Sequence, residues 1–199
     1  HLVVYGGTAR LLEPTVLDIA TAVERYTAAD NRLGLSGQIE RTDTAAAFGL
    51  VRNELAKLVA DERFCKSFPA MVFHLTDGES QTDARPVAEE IKRLATSDGQ
   101  VLIANAYIGT QTQLSYQGPE DFPGYLTADE AGPSAFTIAL FEMSSVMPET
   151  IRQNLVNDGI FPSLRPGARL MFDVRSREML KHAFQVVGSV GSRADVLVA

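Results

Sequence analysis

One cysteine, three scattered histidines and no cluster of lysine or arginine mark this chain of 199 residues, and each scarcity removes a class of function. With Cys65 alone, no disulfide can form within the chain, and a reducing, cytoplasmic setting is expected. Cys65 stands near Phe64 and Phe68 with no histidine beside it, which suits a packing residue better than a reactive thiol. His1, His74 and His182 are too dispersed for a zinc site or a Cys–His dyad. The net charge of −7 and pI of about 5.0 set the surface against phosphate backbones, so nucleic acid is not an expected partner. No apolar run approaches the roughly 18 residues that cross a bilayer, so no membrane partner is expected. No basic stretch followed by an apolar one opens the chain, so no leader is expected.

Apolar residues make up 45% and charged residues 22%, ordinary values for a globular protein with a sizeable core. No repeat and no Pro/Gly/Ser linker divides the chain, so residues 1–199 are read as one domain. Short β-rich runs alternate with helical segments, the rhythm of an α/β fold with a mainly parallel sheet. Leu2–Tyr5 reads as a strand broken by Gly6-Gly7, with Ala9–Leu12 as its hairpin partner. Thr15–Tyr26 carries Val16, Ile19, Ala20 and Val23 at helical spacing, and the polar stretch Ala28–Ile39 reads as loop.

The clearest helix begins at Thr44, a candidate N-cap, with Phe48, Val51, Leu55 and Leu58 on one face. Ala70–Leu75 has strand length and ends in Thr76-Asp77-Gly78. A helix is expected over Ala84–Thr96 with Pro86 in its first turn, then a fully apolar strand over Val101–Ile108. Gly109–Ser134 reads as a long functional loop whose Tyr116, Phe122 and Tyr125 serve as partner contacts or as anchors. Ala135–Asn157 reads as helical around a break at Pro148. Leu170–Val174 is a short strand, and Ser176 caps a last helix with Met179, Leu180, Ala183, Phe184 and Val187 inward.

Two segments carry the chemistry. Arg41-Thr42-Asp43-Thr44-Ala45-Ala46-Ala47-Phe48 is a loop running into a helix, and Val72-Phe73-His74-Leu75-Thr76-Asp77-Gly78-Glu79-Ser80 is a strand ending in an acid and a glycine. Ligands of open α/β sheets bind outside the carboxyl ends of the strands, where Asp77 is expected, with Gly78 letting the chain turn away. Thr42 offers a neutral oxygen to the same place. Oxygen-only donors suit hard cations such as Mg²⁺, Mn²⁺ or Ca²⁺. A shell with few protein ligands leaves room for the acidic side chain of a protein partner.

On these residues, "MVFHLTDGES" preceded by "RTDTAAAF", the chain resembles the von Willebrand factor A (VWA) domain family. The resemblance implies a Rossmann-like open sheet, mainly parallel with one antiparallel edge strand, and helices on both faces. It also implies a metal-ion-dependent adhesion site at the top of the sheet. The family's threonine ligand falls on Thr42 and its aspartate ligand on Asp77, with Asp43, Thr44, Gly78, Glu79 and Ser80 as a partner-contact rim. The element order from Leu2 to about Val187 fits the family beginning at its second strand. The family's Asp-x-Ser-x-Ser segment has no counterpart here, and the expectation is that it lies upstream of His1.

The function implied is a non-catalytic adhesion or adaptor module that binds a protein partner through Mg²⁺, Mn²⁺ or Ca²⁺. Two other readings stay open. One is a metal-assisted hydrolase, which needs a second carboxylate beside Asp77; the other is a scaffold subunit with a degenerate metal site. Catalytic templates are otherwise absent: Gly34-Leu35-Ser36-Gly37 lacks nucleophile-elbow spacing, and Gly6-Gly7 begins no phosphate loop. Glu89-Glu90 and Asp61-Glu62 read as solvated charges, and His74 as a hydrogen-bonded core histidine.

Overall fold

Three short strands rich in apolar residues form the centre of the protein. A computed structural model describes residues 3–5, 9–11, 42–78, 80–109 and 112–191. Strands β1 (Val3–Tyr5) and β2 (Ala9–Leu11) form an antiparallel pair. Helix α1 (Thr44–Ala60) leads to β3 (Met71–Thr76), and α2 (Arg85–Arg93) leads through a small hairpin, β4 (Ala95–Thr96) and β5 (Gly99–Gln100), to β6 (Leu102–Tyr107). A 3-10 turn at Pro119–Asp121 and the short α3 (Ala128–Ala131) precede α4 (Ala135–Met143) and α5 (Glu149–Asn157). Strand β7 (Met171–Asp173) and α6 (Arg177–Gly191) complete the order.

The central sheet has the order β3-β6-β7, with both pairings parallel. With β1-β2 as a separate antiparallel pair, the chain is an α/β protein with a Rossmann-like open sheet. Successive strand residues face opposite sides, so two neighbours in β3 report which helix covers which face. The Phe73 ring stacks on Phe184 of α6 at 4.5 Å, while the next residue, His74, meets the Phe48 ring of α1 edge-on at 5.2 Å. Helices α2 and α4 pack with α1 on the His74 face, and α6 lies on the other. Helices therefore cover both faces, and Ile91, Ile103, Leu140, Phe172 and Met179 fill the core without exposure above 1%.

The lower half of β6 is closed by a loop, not by a strand. The Ser145 N–H donates to the Ile103 carbonyl at 2.9 Å, and its own carbonyl accepts from the Leu170 N–H at 2.8 Å. Its hydroxyl accepts from the Ile103 N–H at 2.9 Å. One buried serine thus does the work of a ladder rung where β7 has not yet begun.

Several expectations need correction. The helix expected over Ala84–Thr96 runs from Arg85 and stops at Arg93, because Ala95–Thr96 and Gly99–Gln100 fold as a hairpin that turns at Ser97-Asp98, with Gly99 at φ +152° opening its second strand. Asp43, not Thr44, caps α1: its side chain accepts from the Ala46 N–H, and Thr44 is the first helical residue. The long segment after β6 is no open loop. Phe122 and Tyr125 are fully buried, so they anchor it in the core and offer no contacts to a partner. Ala135–Asn157, by contrast, is helical around a break at Pro148 as expected: Pro148 caps α5, and Ser144 and Ser145 are buried in the break. In α6, Ser176 does cap the helix, with its Oγ accepting from the Met179 N–H at 3.1 Å. Val186 is fully buried against the core, whereas Phe184 is 50% and Val187 38% exposed. The expected helix Thr15–Tyr26 and loop Ala28–Ile39 lie outside the described residues. No helix among the described residues is long and apolar enough to cross a membrane.

Candidate functional site

The carboxyl end of β3 and the start of α1 meet at the top of the sheet, and hydroxyl groups join them. After Asp77 and Gly78 the chain returns to α1, where the Gln81 N–H donates to the Thr42 carbonyl at 3.1 Å. The Ser80 hydroxyl lies 3.4 Å from that same carbonyl and accepts from the Thr44 N–H at 3.2 Å. The Thr82 hydroxyl accepts from the Ala45 N–H at 3.1 Å and donates to the Asp43 carboxylate at 2.7 Å. Asp43 also accepts from the Ala46 N–H at 2.9 Å. Three amide groups that begin α1, which have no partner within the helix, are satisfied in this way. The Ala46 amide and the Thr82 hydroxyl hold the Asp43 carboxyl below its ordinary range.

Asp77 ends β3 with an exposed side chain, and no hydrogen bond or ion pair engages it among the described residues. Thr42 is half-buried one residue ahead of the helix cap. Thus the structure brings Thr42, Asp43, Thr44, Ser80 and the end of β3 together on one crest. Glu79 of the expected rim lies outside the described residues. Gly78 is not required by its backbone: it has no positive φ, and a Cβ there would meet nothing within 4 Å. Its turn is held by Thr76, whose Oγ1 lies 3.1 Å from the Gly78 carbonyl and 3.4 Å from its amide.

Beneath the crest runs a buried polar chain. Asn105 in β6 donates through Nδ2 to the Leu140 carbonyl at 3.1 Å and to the Ser144 hydroxyl at 2.9 Å. Its Oδ1 is therefore the acceptor for His74 Nδ1 at 2.7 Å. That leaves His74 Nε2 as an acceptor, which the Tyr5 hydroxyl of β1 fills by a short hydrogen bond. Burial lowers the His74 pKa to about 4 against the raising effect of Asn105, so the ring is neutral. Burial raises the Tyr5 pKa; the Thr76 and Thr44 hydroxyls oppose that rise, and the Asp77 charge adds to it. The phenol is thus within electrostatic reach of Asp77.

A second acid ends β7. Asp173 is fully buried and takes hydrogen bonds from Thr112, Tyr116 and Arg175, the last with an ion pair at 2.7 Å. The Arg175 guanidinium lies 4.6 Å from the centre of the Tyr116 ring. Burial pushes the Asp173 carboxyl above its ordinary range, against the lowering effects of Thr112 and Arg175. Asp173 is therefore committed to holding residues 112–116 over the sheet, whereas no hydrogen bond or ion pair engages Asp77 among the described residues. A cavity of about 270 Å³ lies between the 80–85 turn and the first turn of α4, lined by Thr44, Ser80, Arg85 and Phe136 among others. Arg85 does not stand free over it, being paired with Asp83 at 2.8 Å and Glu142 at 2.9 Å.

Tyr5, Asn105 and Asp173 were not singled out from the sequence. A signal was present for two of them. Asn105 is polar within an otherwise apolar strand, and Asp173 follows an apolar run much as Asp77 does. Tyr5 had none, because its role comes from a contact 69 residues away. Among the described residues no group of three or more His, Cys, Asp or Glu gathers where a metal ion could sit. No family model, no curated protein and no solved structure matches the chain.

Proposed function

We propose that this chain is a non-catalytic, metal-ion-dependent protein-binding module of the von Willebrand factor A type, working in the cytoplasm. One observation carries the reading. The segment after β3 folds back onto the Thr42 carbonyl through Ser80 and Gln81, which supports a crest shared by residue 42 and the end of β3. Their chemistry suits the ion. Both donors are oxygens, and the Asp77 carboxylate is exposed and unspent, as hard cations such as Mg²⁺, Mn²⁺ or Ca²⁺ require. Thr42 and Asp77 would hold the cation, and the cation would supply charge for an acidic side chain of a partner protein. Asp43, Thr44 and Ser80 serve as rim, since their polar atoms already support the helix start. The other ligands come from outside the described residues.

A second reading, a scaffold subunit with a degenerate metal site, is favoured by the lack of three converging His, Cys, Asp or Glu among the described residues. A metal-assisted hydrolase remains the third reading and needs a second carboxylate beside Asp77. Titrating Mg²⁺ and Mn²⁺ against the melting temperature of the intact protein separates these readings. A functional site gives a rise that grows with ion concentration, about 2.7 kcal/mol at a hundredfold excess over Kd, and Asp77→Ala abolishes it. No rise in the parent protein leaves the scaffold. Phosphoester or ester turnover that disappears in Asp77→Ala establishes the hydrolase.

A further inference from the structure

Three Asp-Gly pairs occur in the sequence, at 77-78, 98-99 and 158-159. Such a pair carries a latent reaction, in which the glycine amide nitrogen attacks the aspartate Cγ and closes a succinimide ring. Glycine favours it because no Cβ hinders the approach or restricts the backbone twist that the attack needs. The fold decides which pair can react. Attack requires an aspartate side chain that is free to swing, a following amide without a firm acceptor, and room for the ring.

Two of the pairs are held. The Gly159 amide closes the end of α5 by donating to the Val156 carbonyl at 3.1 Å, and the Asp158 amide donates to the Asn154 carbonyl at 2.8 Å. Gly99 sits in the β4-β5 ladder opposite Thr96 and against Pro69, whose Cγ would lie 3.0 Å from a Cβ there. The Asp98 amide donates to the Thr96 hydroxyl at 3.3 Å. Asp77-Gly78 differs on each count. Asp77 is exposed, and no hydrogen bond or ion pair engages its carboxylate among the described residues. The Gly78 amide has Thr76 Oγ1 as its acceptor at 3.4 Å, beyond the usual range for an N–H···O bond. Gly78 takes no positive φ, and no described atom lies within 4 Å of where its Cβ would be.

We propose that Asp77-Gly78 is a site of spontaneous isoaspartate formation, which ages the crest of the sheet. The Gly78 nitrogen bonds to Asp77 Cγ, the Cγ–OH bond breaks, and the hydroxyl leaves as water with the amide proton. Water then opens the succinimide. Cleavage between Cγ and nitrogen restores aspartate, whereas cleavage at the original peptide carbonyl leaves the chain running through Cγ. One water is lost and one is regained, and nothing is oxidised or reduced. The product has one more carbon in its backbone, and its carboxylate sits directly on Cα, drawn back towards the chain. On the reading that Asp77 holds a cation, this shortens the ligand's reach. The rearrangement itself needs no ion, so it can fail or succeed separately from metal binding.

Warming the folded 199-residue chain at neutral pH in oxygen-18 water tests it, since each opening of the ring installs one heavy oxygen. Peptide mass spectrometry reads the label, and electron-transfer fragmentation separates isoaspartate from aspartate. Label accumulates at position 77 at least about tenfold faster than at 98 or 158, which react only after local opening. In urea, where the fold no longer selects, the three rates come together. Gly78→Ala is admitted by the backbone and the open space around it, and it lowers labelling at 77 about tenfold. Comparison of the three sites within the parent protein keeps the test valid if that variant fails to fold. Two results overturn the proposal: labelling at 98 or 158 as fast as at 77 in the folded protein, or no label at 77.

Discussion

His74 Nδ1 and Asn105 Oδ1 lie 2.7 Å apart between two parallel strands, and this bond sets the protonation of the whole buried chain from Tyr5 to Ser144. Asn105 has already spent its amide hydrogens on α4, so only a His74 ring with its proton on Nδ1 completes the chain.

That arrangement gives a dependence on pH. The His74 pKa falls from 6.5 unfolded to about 4 folded, so the folded state favours the neutral ring. Its contribution is held above about pH 6.5 and lost as pH falls towards 4. At about 1.36 kcal/mol per pH unit the loss is about 3 kcal/mol. Urea unfolding of the parent and of His74→Phe between pH 7 and 4 measures it: the parent loses stability more steeply than the variant. A His74 resonance titrating near 6.5 in the folded protein contradicts the prediction.

Asp43 carries the opening of α1. In Asp43→Ala the Ala46 amide loses its cap and the Thr82 hydroxyl its acceptor. Loss of an N-cap costs about 1 kcal/mol, read as a fall in urea midpoint at unchanged slope. The depressed Asp43 carboxyl stabilises the fold above its unfolded pKa of 3.8, and that contribution disappears as pH drops through the folded value. Parent and variant should therefore converge in acid.

Asp173 behaves oppositely. Its carboxyl is raised by burial, so its contribution is greatest below the unfolded value and declines as pH climbs through the folded one. Carbon-detected NMR should place its midpoint above the ordinary 3.8. Asp173→Asn turns an amide group towards the Thr112, Tyr116 and Arg175 donors and costs about 1–3 kcal/mol by thermal or urea unfolding. Faster exchange at 112–116 is the local sign that this segment has lost its anchor.

Gly124 admits no larger residue. It has φ +72°, and a Cβ there would lie 2.6 Å from the Ala168 Cβ and 2.7 Å from a Leu164 methyl. Gly124→Ala combines left-handed strain with overlap, each of order 1–3 kcal/mol, and should lower the melting temperature by several degrees or more. An unchanged melting temperature refutes the packing between residues 122–126 and 164–168.

The α/β class and the central elements were legible because period and composition are local properties. Met71–Thr76 and Leu102–Tyr107 are short apolar runs bounded by breakers, and α1 carries Phe48 and Val51 at helical spacing. The crest was legible in the same way, from an acid placed after a strand and threonines placed before a helix. What escaped depends on tertiary contact. Nothing local tells that Phe122 and Tyr125 bury themselves completely, or that Thr82, far along the chain, shares with Asp43 the amides that begin α1. Nor could apolar spacing choose between Val186 and Val187, since a quarter-turn at a helix end decides which one meets the core.

The rung built by Ser145 has one more consequence. It seals the lower flank of β6, while Met171, Phe172 and Asp173 of β7 are buried without exposure. Among the described residues no strand therefore has a place to join on that flank of β6. A border closed by a loop cannot template the strand-on-strand growth by which open-edged sheets propagate into fibres.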